Sequence, residues 1–392
     1  MKKLKVAVIG VGNMGSSHAK NIGLNGICPE MELVAICDKS PARQAWAKET
    51  FADKNVAVFA DAKDLFEAKI CEAVIIATPH YDHPKLAMQA FSYGLHVLSE
   101  KPAGVYTKNV REMNEAAKKA GVVFGMMFQC RLIPGVRKIK ELLSSGNFGE
   151  IRSVNWLVTN WYRSQFYYDS GSWRATWAGE GGGVLLNQCP HQLDALAWFC
   201  GLPEEISATC RVGRWHDIEV EDDVVAVLKY PNGITGTFIT STGFTPGTNR
   251  LEIVTDKGSI ILENNSDVTV YELAEKEQDY SRRAKSVFDK PQITKMVYTF
   301  PEVKDHHMLV ANAWAKKILH NEGELIATGE DGLNELLLSN AMYLSSWLDK
   351  PVKLPFDEDL YYEELMKRVA TSRRKTGGKT VFVDIGGTYG SK

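Results

Sequence analysis

Across the first 128 positions, apolar residues gather in short runs without polar alternation: LKVAVIG, MELVAIC, VAVF, EAVIIAT, LHVLS and GVVFGMM. Such runs fit strands buried on both faces, as in a parallel sheet. Between them, stretches such as Ala42 to Phe51 and Pro84 to Tyr93 carry helical spacing. Strand and helix in alternation predict a doubly wound α/β domain over 1–128.

Beyond Arg131 the pattern changes. A helix is predicted from Pro134 to Leu143, and strands then dominate: IRSVNWLVTNWY, EISATCRVG, DVVAVLKY, GITGTFITS, RLEIVTD and GSIILEN. Turn signals at Pro231-Asn232-Gly233 and Asp256-Lys257-Gly258 make neighbouring strands hairpins. Helical spacing returns around His306–His320 and Glu330–Leu348. Residues 129–392 are therefore predicted to form an α+β domain with a mostly antiparallel sheet.

Composition narrows the possibilities. A chain of 392 residues exceeds one comfortable core. Its net charge of −2 gives no pull toward nucleic acid or an anionic membrane. Seven cysteines include no C-x-x-C pair, so neither a zinc knuckle nor a disulfide framework is indicated, and a cytoplasmic location is expected. No run approaches the ~18 apolar residues of a membrane span. The run from Lys367 to Lys379, with six basic residues and no acid, reads as a solvated terminus.

Chemistry enters at VAVIGVGNMGSSHA. Gly10, Gly12 and Gly15 form G-x-G-x-x-G between a predicted strand and helix. The first glycine allows a tight turn, the second a close approach to a pyrophosphate, the third helix–strand packing. N–H groups at Asn13 and Met14 would hold the anion. Asp38, at the tip of the second strand, is placed for the adenosine ribose and favours NAD; Lys39 beside it would suit the 2′-phosphate of NADP. Asp38 could instead serve as a helix N-cap or an Asx-turn residue before Pro41.

Three further stretches complete a pattern. Thr78-Pro79 ends the fourth strand, with His83 opening the next helix; Glu100-Lys101-Pro102 ends the fifth; and GGGVLLNQCPHQLD spans 181–194. With the glycine loop, they make the chain resemble the glucose–fructose oxidoreductase, inositol dehydrogenase and rhizopine catabolism family, Gfo/Idh/MocA, over roughly residues 4 to 350. The resemblance implies a Rossmann domain followed by an α+β domain with a large open sheet. It also implies a homo-oligomer, a tetramer or dimer, and an active site between the domains. Thr78, Pro79, His83, Glu100, Lys101 and Gln129 would serve the cofactor, and Lys101, Asn187 and His191 catalysis.

Oxidising a secondary alcohol needs a hydride acceptor and a base. His191 titrates in the useful range and is the expected base. Lys101 is expected to stabilise the developing alkoxide or to orient the nicotinamide ribose. The family usually has Asp where this chain has Asn187, which can cap the helix as well as bind a hydroxyl. Asn187, His191 and Asp194 are expected on one helix face, Asp194 orienting the ring or binding substrate, while Gly181–Gly183 let the chain pass close to the cofactor. Gln129 and Arg131 are placed to face the cleft.

Residues 156–177 hold eight aromatics where the chain's 10% average predicts about two. Rings with a polar edge suit the C–H faces of sugars, and they suit a core or subunit interface equally. Trp161, Tyr162, Arg163, Trp173 and Arg174 are the substrate candidates. Glu219, Glu221, Asp222 and Asp223 beside His216 lack zinc or calcium spacing, and no metal is expected.

The expected function is an NAD(P)-dependent dehydrogenase acting on a ring hydroxyl of a sugar, cyclitol or glycoside. Two rivals are kept: a hydrolase or eliminase that oxidises its substrate transiently with retained NAD, and a cofactor-dependent sensor without chemistry.

Overall fold

The computed structural model describes residues 2–373 apart from residue 302. The first domain alternates β1 (Leu4–Ile9), α1 (Asn13–Gly23), β2 (Met31–Cys37), α2 (Pro41–Thr50), β3 (Ala57–Phe59), α3 (Ala62–Glu67), β4 (Ala73–Ile76), α4 (Asp82–Ser92), β5 (His96–Ser99), α5 (Thr107–Ala120) and β6 (Phe124–Met126). Its six strands are all parallel in the order β3-β2-β1-β4-β5-β6. The uninterrupted apolar runs are explained: the residues of β1 from Val6 onward and all of β4 are buried, helices covering both faces. Strand order reverses between β1 and β4, where a crevice opens above the strand ends.

The second domain continues with α6 (Pro134–Ser144), β7 (Ile151–Val158), α7 (Gln165–Asp169), α8 (Val184–Asn187), α9 (Pro190–Cys200), β8 (Glu205–Val212), β9 (Glu221–Lys229), β10 (Thr235–Ser241), β11 (Asn249–Thr255), β12 (Gly258–Glu263) and β13 (Asp267–Leu273). Then come α10 (Glu277–Arg283), β14 (Ile293–Tyr298), α11 (His306–His320), α12 (Gly329–Leu348), β15 (Val352–Lys353) and α13 (Glu358–Thr371). Nine strands form one sheet, β14-β13-β12-β11-β7-β10-β9-β8-β15. Every pairing described is antiparallel except β7 with β10. One face packs under α6, α8 and α12, with α9 lying against α12; on the other, β9 turns Val225 and Val227 outward.

Four elements go beyond the sequence reading. Strands β13 and β14 extend the sheet at one edge. The basic run from Lys367, read above as a solvated terminus, enters α13 as far as Thr371, and the rest lies outside the described residues. And α11 packs on the first sheet: Met308, Ala311 and Trp314 share a buried cluster with Val6, Val8 and Ile75.

Candidate active site

The site begins at the β1–α1 turn. Gly10 has φ +81°, and a Cβ there would meet the Ala77 carbonyl oxygen at 2.8 Å. A Cβ on Gly15 would run into the Gly10 carbonyl, so α1 can lie against β1 only with glycine there. Gly12 differs: a Cβ would meet nothing within 4 Å, because it faces a cavity. No side chain caps α1, and its first turn carries no acid, leaving the positive helix end toward that space.

This cavity has a volume of about 590 Å³ and runs from the first domain to the second. Gly10, Gly12, Asn13, Met14, Asp38, Lys39, Thr78, Pro79, Glu100 and Lys101 line it on one side; Trp161, Arg163, Trp173, Arg174 and Asn187 line it on the other. Asp38 makes the turn expected of it and lines the cavity as well. Oδ2 accepts from Val11 N and Oδ1 from Ser40 N, each at 2.8 Å, yet the group still borders the cavity with lone pairs to spare. Lys39 lies 3.8 Å from Asp82 and is largely exposed. The Thr78 hydroxyl is buried with no hydrogen-bond partner among the described residues. An uncapped helix end, an open Gly12, a cavity-lining carboxylate and a buried hydroxyl without a partner among the described residues together fit a dinucleotide.

His83, Gln129, Tyr162 and His191 do not line the cavity. His83 spans the carbonyls of Thr78 (2.7 Å) and Pro102 (2.8 Å), tying the β4 loop to the β5 loop. Tyr162 is about half exposed, outside the wall. Gln129 Nε2 donates to His191 Nε2 at 3.1 Å, and both residues are buried. Burial drives the His191 pKa well below its ordinary value, and the Lys101 charge adds to this, so the ring is neutral.

Asn187 is not the cap of the histidine helix. Pro190 is the first residue of α9, with Cys189 as its cap residue, so Asn187 ends the preceding short helix α8. A proline has no N–H and fits only the first turn, which moves the helix start three residues beyond Asn187. Asn187 and His191 therefore do not share a helix. The backbone carbonyl of Asn187 accepts from Lys101 Nζ at 2.6 Å, and its amide donates to Glu180 Oε1. Asp194 is not His191's partner either. It holds Arg131 through two bonds of 2.6 and 2.8 Å, deep in the protein, so neither residue faces the cleft. Nor do Gly181–Gly183 approach the cavity. Cβ atoms there would strike Val105, Tyr343 and the Glu221 carbonyl: the glycines serve packing.

Several site residues escape the sequence reading. Tyr167 lines the cavity; its hydroxyl receives Arg174 Nη1 at 2.8 Å and Gln188 Nε2 at 3.1 Å and lies 3.5 Å from Asn187 Oδ1. Glu180 lies behind, 3.7 Å from Arg174. His80 sits at the wall, edge-on to Trp173, held neutral chiefly by burial. Tyr167 belongs to the aromatic window, and His80 follows Pro79 directly; the rest left no sequence signal.

Two charges shape the inner end. Burial would raise the Glu100 carboxyl, but the hydrogen bond and charge of His18, at 2.8 Å, with His307 and Lys101, outweigh it and hold the pKa at about 2. Lys101 is lowered, chiefly by desolvation, against the pull of Glu100. The acidic cluster is structural: Glu221 caps α8 through Gly183 N and Leu185 N at 2.9 Å, and Asp222 accepts from the backbone N–H groups of Arg214, Trp215 and His216. Among the described residues no side-chain group is arranged to hold a metal ion.

Fold and site together define a two-domain α/β protein with a nucleotide cradle at the switch point of its first sheet. The family described as "Oxidoreductase family, NAD-binding Rossmann fold" matches residues 4–128, and the GFO/IDH/MocA C-terminal domain matches 136–261. The chain belongs to the Gfo/Idh/MocA oxidoreductase family. It is similar to trans-1,2-dihydrobenzene-1,2-diol dehydrogenase of Mus musculus, 33% identical over 54% of this chain and 61% of that protein. The chain thus spans about three-fifths of that relative and of its Bos taurus counterpart, matched over 60%. Myo-inositol 2-dehydrogenase of Thermotoga maritima is 26% identical over 90% of this chain and 98% of that one. Among solved structures, the WlbA dehydrogenase of Bordetella pertussis, in complex with NADH and UDP-GlcNAcA, superposes with a TM-score of 0.74 at 27% identity, covering 91% of this chain and all of that one.

Proposed function

We propose that this protein is an NAD-dependent dehydrogenase that oxidises a ring hydroxyl of a sugar, cyclitol or glycoside. One observation carries the reading: Lys101 and the open glycine turn border the same cavity as a wall of aromatic and arginine side chains from the second domain. The names of the relatives, a diol dehydrogenase and an inositol dehydrogenase, support the same class of reaction.

The first-domain wall would hold the dinucleotide: diphosphate at Gly12, Asn13 and Met14, adenosine ribose at Asp38, and the nicotinamide end near Thr78, Pro79 and Lys101. NAD+, when bound, supplies the acceptor for the carbinol hydride. The chain's own part is the proton. His191, the base expected from the sequence, is buried behind Gln129, whereas Lys101 lines the cavity. The substrate O–H therefore donates to the neutral amine of Lys101, whose lowered pKa makes that form accessible. The Asn187 carbonyl fixes Nζ in place, and His191 acts as a positioning residue against Gln129. Trp161, Tyr167 and Trp173 offer surfaces for the ring's C–H faces.

The outer face of the second sheet exposes Val225 and Val227 on β9 and Ile293 and Val297 on the edge strand β14, apolar side chains suited to contacts with a second copy, and we read the protein as a homo-oligomer. All seven cysteines are unpaired, which supports a reducing, cytoplasmic setting; no helix among the described residues is long and apolar enough to cross a membrane.

The test is absorbance of reduced nicotinamide at about 340 nm during incubation with inositols, aldoses and glycosides, with NAD+ and NADP+ in separate arms. Absorbance growth with one ring-hydroxyl class and NAD+ is expected. Turnover with no net absorbance change and retained cofactor would replace the reading with transient oxidation. Light scattering on the purified protein should show a mass above one chain.

A further inference from the structure

The second-domain wall of the cavity, from Trp161 to Gln188, contains two arginines and neither aspartate nor glutamate among the described residues. The two arginines are not equivalent. Arg174 shares its charge with Glu180 at 3.7 Å and donates to the Tyr167 hydroxyl. Arg163 makes no ion pair among the described residues; one Nη donates to the Tyr162 carbonyl at 2.9 Å.

Arg163 is also pre-placed. Its N–H donates to Thr242 O at 2.9 Å, and its own carbonyl lies 2.8 Å from His216 Nε2, a ring held in turn by Asp222 at 2.9 Å. Its guanidinium lies 5.5 Å from the Trp161 ring centre and 5.1 Å from that of Tyr167, within cation–π range. A guanidinium beside two rings at a cavity wall, with no ion-pair partner among the described residues, is costly once a ligand excludes water. A ligand that supplies the missing charge recovers that cost and gains a two-pronged charge-assisted hydrogen bond.

We propose that the ring substrate carries one carboxylate, as a uronic acid or a carboxylated cyclitol does, and that Arg163 receives it. This rests on the dehydrogenase reading and narrows its substrate class. The count of charges favours a carboxylate over a phosphate ester. Arg174 is already shared with Glu180, and Lys101 is held at the Asn187 carbonyl for the reacting oxygen, which leaves one uncompensated cation. The dinucleotide diphosphate has its own cradle on the opposite wall at Gly12, Asn13 and Met14.

The experiment uses the full chain loaded with NAD+ and matched probes: D-glucuronate against D-glucose, D-galacturonate against D-galactose, and glucose 6-phosphate as the phosphate arm. Calorimetric binding is measured beside turnover. The expected result is a preference of about 10- to 100-fold for the acid over its neutral partner, in Kd and in kcat/KM where turnover occurs. Arg163→Gln should collapse that ratio toward one while NAD+ affinity stays the same, and Arg163→Lys should restore part of it, a point charge replacing the fork. Equal binding of acid and neutral sugar overturns the proposal, as does stronger binding of the phosphate ester. Loss of NAD+ affinity in Arg163→Gln also overturns it, by assigning the arginine to the cofactor. Acid-selective binding without any absorbance change would leave this inference standing and refute the dehydrogenase reading instead.

Discussion

Lys101 is buried enough to lose its proton more readily than an exposed lysine, and it stands where the reacting oxygen is expected. Oxidation should therefore accelerate as pH rises, levelling off below the ordinary lysine range as the neutral amine accumulates. Lys101→Ala should lower kcat by about 10²- to 10⁴-fold and remove that limb of the pH profile. Lys101→Arg, which keeps the charge but cannot shed its proton, should be equally slow. Steady-state kinetics across pH checks both. Glu100 provides a stability counterpart. Its pKa is about 2 in the folded chain against an ordinary 4.5, so its ionised form stabilises the protein above pH 4.5, and that contribution disappears as pH falls toward 2. His307, held at about 4 chiefly by burial, begins the loss below its ordinary 6.5. Glu100→Gln should lower the unfolding free energy at pH 7 by roughly 3 kcal/mol, with the deficit closing toward pH 2 in urea titrations. Lys101 and the glycine loop were legible in the sequence because each sits in a local motif. The partner of Lys101 was not, since it is the backbone carbonyl of a residue 86 positions away.

Among the elements, the β1–α1 turn separates two uses of glycine. A Cβ at Gly15 would overlap the Gly10 carbonyl, whereas one at Gly12 would enter open cavity. Gly15→Ala should thus cost about 1–3 kcal/mol of stability as well as NAD+ affinity. Gly12→Ala should keep the melting temperature and weaken NAD+ binding only; thermal melts with and without NAD+ distinguish the two. The strands through β12 were readable because burial imposes a period on each of them, whereas the short helices α7 and α8 were not. The break between α8 and α9 was misplaced. An i, i+4 spacing matches one helix face whether or not the helix is continuous, and it was Pro190 that set the true start.

At the scale of the whole molecule, the two domains share one core. A single buried cluster runs from Ala7 and Ile9 through Phe128 to Val154, Leu251 and Leu344, and α11 seals the far face of the first sheet. Trp314, almost fully buried beneath β1 and β5, ties a late segment to the earliest strand. Trp314→Ala is expected to destabilise the protein by about 3–5 kcal/mol. Because the core is continuous, unfolding should remain one transition, with tryptophan fluorescence and far-ultraviolet dichroism coincident. Two separated transitions would show that the domains fold independently.

The residues alone determined the parallel first sheet, the mostly antiparallel second one and the glycine cradle, since burial and turn chemistry act over spans shorter than about 20 residues and leave a period or a motif in the letters. Only tertiary structure decided that Asn187 offers Lys101 a backbone oxygen, that Asp194 belongs to Arg131, that His191 retreats behind Gln129, and that α11 returns to the first sheet. Each of these is a pairing between distant segments, made by packing and charge at close range, and no spacing along the chain encodes it.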